Sequence, residues 1–419
     1  MVRRRVTRVV AICATLCTVG GGDARADDGA AEVTYSSVTE PVVILVARGT
    51  VPRDGFGESV AIDGPYAVVG ASQFFHHVTG IISISPNPGY VTMFRHNEGR
   101  WSEDSRLEGM NRGERFGAAV AVSGDLVTVG APWTPGGGAV HVFRRTGTAG
   151  WSNEQTPCTV PAPSDGAFGG AVGMDGEYVI VGSVNRQFDG LSCGTRADAF
   201  HLSGAEGEPH IALSSADAGN GERRQQKCVG GAVAIDGSYA VVGSPVPPGA
   251  NGGSGSVAVF RRTGPHSWTE GGSLSPEPAV GTFGTAVAIH GQHIAVGAPI
   301  RDGGGRVYVY RRTSVDRWRR VAVLEEPDGF GARAFGVAVA VHEDYLFAGA
   351  RPLTGGTFGV VYVFRRGEDD TWEPTRALRR PHDSSATLFG SSIAVDARRV
   401  IVGAPGGLDG GAAFIWRYR

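Results

Sequence analysis

Phe74, Phe75, His76 and His77 form the densest cluster of aromatic and imidazole side chains in the sequence, and Arg223 and Arg224 stand beside Glu222 further along. Two histidines could begin a metal site, but neighbouring side chains on an extended strand point apart and no third ligand lies close in sequence. Aromatics interspersed with arginine are instead a hot-spot composition for recognition. The sequence has no G-x-S-x-G elbow and no H-E-x-x-H pair. Its glycine runs, Gly136-Gly137-Gly138 and Gly303-Gly304-Gly305, lead into strand-like rather than helix-like segments, so they read as turns and not as phosphate cradles. No catalytic residue, metal site or cofactor is therefore expected. The candidate ligand-face residues are Phe74, Phe75, His76, His77, Phe188, Arg223 and Arg224.

These residues fall in irregular loops between regular elements, and the regular elements repeat. Seven segments begin at Phe56, Phe116, Phe168, Val229, Phe283, Phe335 and Phe389, each followed by glycine, and each reaches a second Gly-Ala or Gly-Ser about a dozen residues later. The opening strand is followed by a two- to four-residue turn holding Asp63-Gly64, Ser123-Gly124-Asp125, Asp175-Gly176, Asp236-Gly237, His290-Gly291, Glu343-Asp344 or Asp396-Ala397. A third strand ends on an aromatic, often with an arginine pair (Arg144-Arg145, Arg261-Arg262, Arg311-Arg312, Arg365-Arg366), and a fourth begins near Trp101, Trp151, Trp268, Trp318 or Trp372. Four short strands per unit with no helical period make the chain all-β. Along the first strand Phe56, Val60 and Ile62 alternate with Gly57, Ser59 and Ala61, so a bulky face and a small face are both buried. Such a sheet suits radial stacking, which predicts a seven-bladed β-propeller of four-stranded blades over residues 51–419. The seventh unit stops at its third strand. Residues 27–50, with Val42-Val43-Ile44-Leu45-Val46, are expected to supply the missing strand and close the ring.

Residues 1–26 read as a signal peptide: Arg3, Arg4, Arg5 and Arg8, an apolar stretch from Val9 to Val19, then Ala24-Arg25-Ala26. Export to the periplasm or exterior is the expectation. With 39 Lys and Arg against 41 Asp and Glu the chain is near neutral, which argues against a nucleic-acid partner, and no later apolar run is long enough for a membrane span. A monomer is expected. Glycine is in excess, 66 of 419 residues against a usual share of about 7%.

The Phe-Gly core, the Val-Gly-Ala-Pro end of strand two and the Gly-x-Val-x-Val-Phe strand resemble the FG-GAP repeat of integrin α propellers and of secreted bacterial proteins. The resemblance implies a seven-bladed propeller and an adhesion or interaction role. Some integrin repeats carry a calcium loop of the Asp-x-Asp-x-Asp-Gly type between strands one and two. Here that loop is a tight turn with about one carboxylate, short of the six to eight oxygens calcium takes, so calcium is not carried over. On the propeller, Cys193 and Cys228 would fall at one end of adjacent blades, which nominates them as a disulfide and leaves Cys158 as a thiol. The leading expectation is a non-enzymatic propeller binding a protein or cell-surface partner. A carbohydrate-binding propeller is the second reading, and an enzyme with an unrecognised channel site the third.

Overall fold

The computed structural model describes residues 43–52, 54–76, 82–84, 87–145, 147, 150–155, 167–183, 196–202, 211–213, 229–246, 254–299, 304–327, 333–352, 359–381, 384–407 and 409–419. Every regular helix or strand element among them is a β-strand. Twenty-eight of these strands form seven four-stranded antiparallel sheets, which are the blades of a propeller. Blade one runs Ser59–Asp63, Tyr66–Ala71, Tyr90–Asn97 and Arg100–Glu108, and the same meander recurs in the blades that follow. In blade seven the strands Ser392–Val395, Arg399–Ala404 and Ala412–Arg417 are joined by Val43–Leu45, which pairs antiparallel with the third of them, Val43 opposite Ile415 and Leu45 opposite Ala413.

The repeated Phe is the core of six blades, with Val229 in its place in the fourth. Phe56, Phe116, Phe168, Phe283, Phe335 and Phe389 are essentially inaccessible. Each meets the aromatic that ends its own third strand: Phe116 lies edge-on to Phe143 at 6.2 Å, Phe168 to Phe200 at 5.8 Å and Phe389 to Trp416 at 5.6 Å. Such pairs add about 0.5–1.5 kcal/mol beyond the area they bury. Trp151, Trp318 and Trp372, which open fourth strands, pack edge-on against the residue that starts strand two of the preceding blade, Tyr66, Tyr239 and His293.

The glycines fix how closely blades approach. The glycine after the repeated Phe has φ between +82° and +96° in all seven blades. Its N–H donates to the strand-two glycine of its own blade, as Gly57 does to Gly70 and Gly117 to Gly130. Its carbonyl is turned outward onto the strand-two glycine of the preceding blade. Gly117 faces Gly70, Gly169 faces Gly130, and the series runs round to Gly57 facing Gly403, so blade one sits on blade seven by the same contact. A Cβ at Gly70 or Gly403 would lie only 2.2 or 2.0 Å from that oxygen, far inside van der Waals contact. Ser59 and Ser392 donate their hydroxyls to these carbonyls at 2.7 and 2.8 Å.

The tight turns add a second inter-blade link. Asp63 accepts from the Gly124 N–H of the next blade (2.7 Å), Ser123 from Gly176 (2.9 Å), Asp175 from Gly237 (2.6 Å) and Asp236 from Gly291 (2.5 Å). Three turn carboxylates and one hydroxyl thus latch blades one to five together.

Candidate ligand-binding site

Two ends of the ring carry polar side chains. At the turn end most of the paired arginines are engaged with neighbouring blades, while Arg365 and Arg366 turn to Tyr345, Asp344 and Asp370 of their own blade. The guanidinium of Arg262 lies 3.5 Å from the ring centre of Tyr178 in the preceding blade, and that of Arg312 lies 4.5 Å from Tyr239. Arg145 stacks on Tyr66 at 5.1 Å and pairs with Asp104 at 3.4 Å. The first arginine of a pair reaches forward instead: Arg261 to Asp316 at 2.9 Å, and Arg311 to Asp370. A cleft of about 540 Å³ opens here, lined by Tyr239, Gln292, Arg311, Arg312 and Thr313. Its two arginines already hold partners on either side, so the belt is largely a fastening of blade to blade.

The opposite end is built from the loops that join strand two to strand three and one blade to the next. Phe74, Phe75 and His76 form a short strand there, paired with Ile82–Ile84 in a two-stranded hairpin that rises from blade one, with Phe74 opposite Ile84 and His76 opposite Ile82. His77, Phe188, Arg223, Arg224, Cys193, Cys228 and Cys158 lie outside the described residues.

At the base of that hairpin the structure assembles residues that the sequence reading did not single out. Gln73, at φ +57°, donates its N–H to the Asp54 carbonyl at 3.1 Å. Arg115, the residue before Phe116, pairs with Glu58 of blade one at 2.6 Å, while Ser72 donates to the other oxygen of the same carboxylate. The Arg115 guanidinium also lies 5.2 Å from the ring of Trp133, an indole that is half-buried. Glu114 beside it is fully buried and accepts from the Met110 N–H at 2.6 Å, Asn111 Nδ2 at 2.8 Å and Thr134 Oγ1 at 3.3 Å. The Trp133 N–H donates to the Glu114 carbonyl at 3.0 Å. Asp54 accepts from the Tyr90 hydroxyl at 3.0 Å; burial first and this carboxylate second push that hydroxyl well above the ordinary tyrosine range.

Arg115 holds φ +59° where blade one has Gly55 at +74°. A long side chain in the left-handed region is held against an intrinsic cost of about 1–2 kcal/mol, and the ion pair across the blade boundary is what opposes it. A signal for this pair is present in the repeats. The residue after the Phe-Gly or Val-Gly pair is Ala118, Gly170, Gly231, Thr285, Val337 and Ser391 in six units and Glu58 in the remaining one. The residue before it is uncharged in six units and Arg115 in the other. The two charged exceptions meet each other. With both Glu58 oxygens engaged, the assembly suits positioning: a fixed guanidinium under an indole face, at the mouth of the loops.

Residues 40–74 and 101–143 match the family model of the FG-GAP repeat. No curated protein matches the chain. Among solved structures it is similar to a protein from Lactobacillus plantarum, at 11% identity and a TM-score of 0.48, covering 84% of this chain and 99% of that one. It is also similar to a protein described as a candidate 6-phosphogluconolactonase from Bacteroides fragilis, at 15% identity and a TM-score of 0.47, covering 76% of this chain and 87% of the other.

Proposed function

The chain is an FG-GAP-type seven-bladed propeller, and on that premise we propose that it is an exported, non-enzymatic binding scaffold that recognises a protein or surface partner through its loop end. The observation that carries this reading is the Glu58–Arg115–Trp133 assembly under the Phe74–His76 hairpin. A rigid ring that pins an arginine in a strained backbone conformation beneath a half-buried indole supports recognition, because groups held in place lose little freedom on binding. Trp is also among the residues that dominate interface energetics, and the buried Arg115 serves to hold Trp133 in place. Behind them the glycine contact repeated between all seven blades keeps the loops in register.

A glycan is the second candidate partner, favoured by the Trp133 face itself, since an indole plane beside fixed polar groups is a surface on which a sugar ring can stack. The test uses the chain lacking residues 1–26, cross-linked to intact cells of its producer, beside a Trp133→Ala variant and a Phe74→Ala/Phe75→Ala variant. The reading expects one partner captured by the parent protein and lost from both variants. Equal capture by all three would place recognition elsewhere. A glycan array run in parallel assigns the partner's class.

A further inference from the structure

The latch series of the turn end runs from blade one to blade five and stops there. Between blades five and six the carboxylate position of strand one is occupied by His290 and, one blade on, by His342. The glycine position that follows, left-handed at +54° to +60° in Gly64, Gly124, Gly176, Gly237 and Gly291, is Glu343 at φ +49°. Three departures from the repeat thus coincide, and each installs a metal-ligating side chain. One ligand atom from each of His290, His342 and Glu343 lies within 4.8 Å of the others. We propose that this junction is a divalent transition-metal site, with Zn²⁺ as the ion its donors suit best.

The donor set selects the ion. Two imidazoles and a carboxylate are a common zinc triad, and in such sites a water takes the fourth position. A point equidistant from three atoms 4.8 Å apart is about 2.8 Å from each, so an inward shift of less than 1 Å per ligand reaches the usual 2.0–2.2 Å bonds. His342 is fully buried, His290 half-buried and Glu343 exposed, which leaves the solvent side open for that water. The two imidazoles now stack at 4.6 Å and 25°. Binding requires one ring to rotate about its side-chain bonds so that a nitrogen of each faces the ion, and His290 is the less buried of the two.

The surroundings fit a cation. Asp236 Oδ2 stands 3.5 Å from His290 Nδ1 and is itself held by the Gly291 N–H, so an anchored carboxylate lies near enough to take a hydrogen bond from the imidazole once it ligates. Arg419 pairs with Glu343 through Oε2, so Oε1 can reach the ion without breaking that pair. This is unlike the calcium loop of the resembled family, in which oxygens come from a single loop; here nitrogens come from two blades.

The test is Co²⁺ titration of the metal-free protein lacking residues 1–26, followed by Zn²⁺ displacement. A four-coordinate His₂Glu site gives a visible d–d band at one ion per chain, bleached by Zn²⁺, with Zn²⁺ also raising the melting temperature. His290→Ala and Glu343→Gln, both at accessible positions, should each weaken Zn²⁺ binding at least tenfold and abolish the band. Asp236→Asn should weaken it about tenfold by releasing His290. His342→Gln is read only after its circular dichroism matches the parent. No band at saturating Co²⁺, or unchanged Zn²⁺ affinity in His290→Ala and Glu343→Gln, overturns the proposal. A near-ultraviolet thiolate charge-transfer band would assign the ion to the cysteines and overturn it equally.

Discussion

At Gly130 the carbonyl oxygen of Gly169 from the next blade lies 2.0 Å from where a Cβ would be, and both groups are backbone with nothing to swing aside. Gly64 has a left-handed φ of +54° but open space around it. Gly130→Ala should therefore cost about 3 kcal/mol as an overpacked contact, and Gly64→Ala about 1 kcal/mol of backbone strain alone. Urea unfolding of the two variants checks the ratio; equal costs would mean that the blades are not set by glycine contact. A second prediction concerns His293, which stands where other blades have Tyr66, Tyr178, Tyr239 and Tyr345. Burial, with Arg366 close behind and Asp370 only partly opposing, lowers its pKa from 6.5 to about 4. The unfolded chain then binds a proton that the folded one refuses, so stability is full above about pH 6.5 and falls as the pH drops towards 4. At about 1.4 kcal/mol per pH unit the loss is bounded near 3 kcal/mol. His293→Tyr should flatten that limb in a comparison of denaturation midpoints at pH 7 and 4.5. Glycine recurrence was readable in the sequence at every one of these positions, because a repeat displays its own rule. Glu58 and Arg115 were not read as a site, since 57 residues separate them and only the ring brings one blade's exception to the next.

The strand pattern shows where each arginine pair falls, at the end of strand three, but not which way each side chain turns. Alternation along a strand sends successive residues to opposite faces, and in a propeller those faces belong to different neighbours. Arg312 therefore turns back onto Tyr239 of blade four while Arg311 turns forward to Asp370 of blade six. The basic belt is thus in large part a set of inter-blade fasteners. A double-mutant cycle of Arg312→Ala and Tyr239→Leu should give a coupling of about 0.5–1 kcal/mol, the range for a cation over an aromatic face at a partly exposed site. Strict additivity would show that the two side chains are merely adjacent. The same elements explain the recurring tryptophans, whose spacing was visible and whose partner, the first residue of strand two in the preceding blade, was not.

A ring is held by its weakest junction, and the junction between blades seven and one joins segments from opposite ends of the chain. Its inner layer repeats the glycine contact, with the Gly57 carbonyl on Gly403 and the Ser392 hydroxyl donating to that carbonyl at 2.8 Å. Its outer layer depends on Val43–Leu45, whose pairing covers one edge of Ala412–Arg417. Leu45 is 3% exposed and packs in the same cluster as Phe56, Ile62 and Ile415, whereas Ile44 is 44% exposed. If this strand fastens the ring, Leu45→Ala should cost about 2–4 kcal/mol and Ile44→Ala less than about 0.5 kcal/mol. Removing residues 27–50 should lower the melting temperature of the whole propeller in one cooperative transition, because the freed edge loosens blade seven and with it the support for blade one. Calorimetry of the parent chain lacking residues 1–26, the shortened chain and the two point variants separates the cases. A shortened chain that melts with the parent would mean that the inner glycine contacts alone hold the ring shut, and that the outer strand only covers an edge.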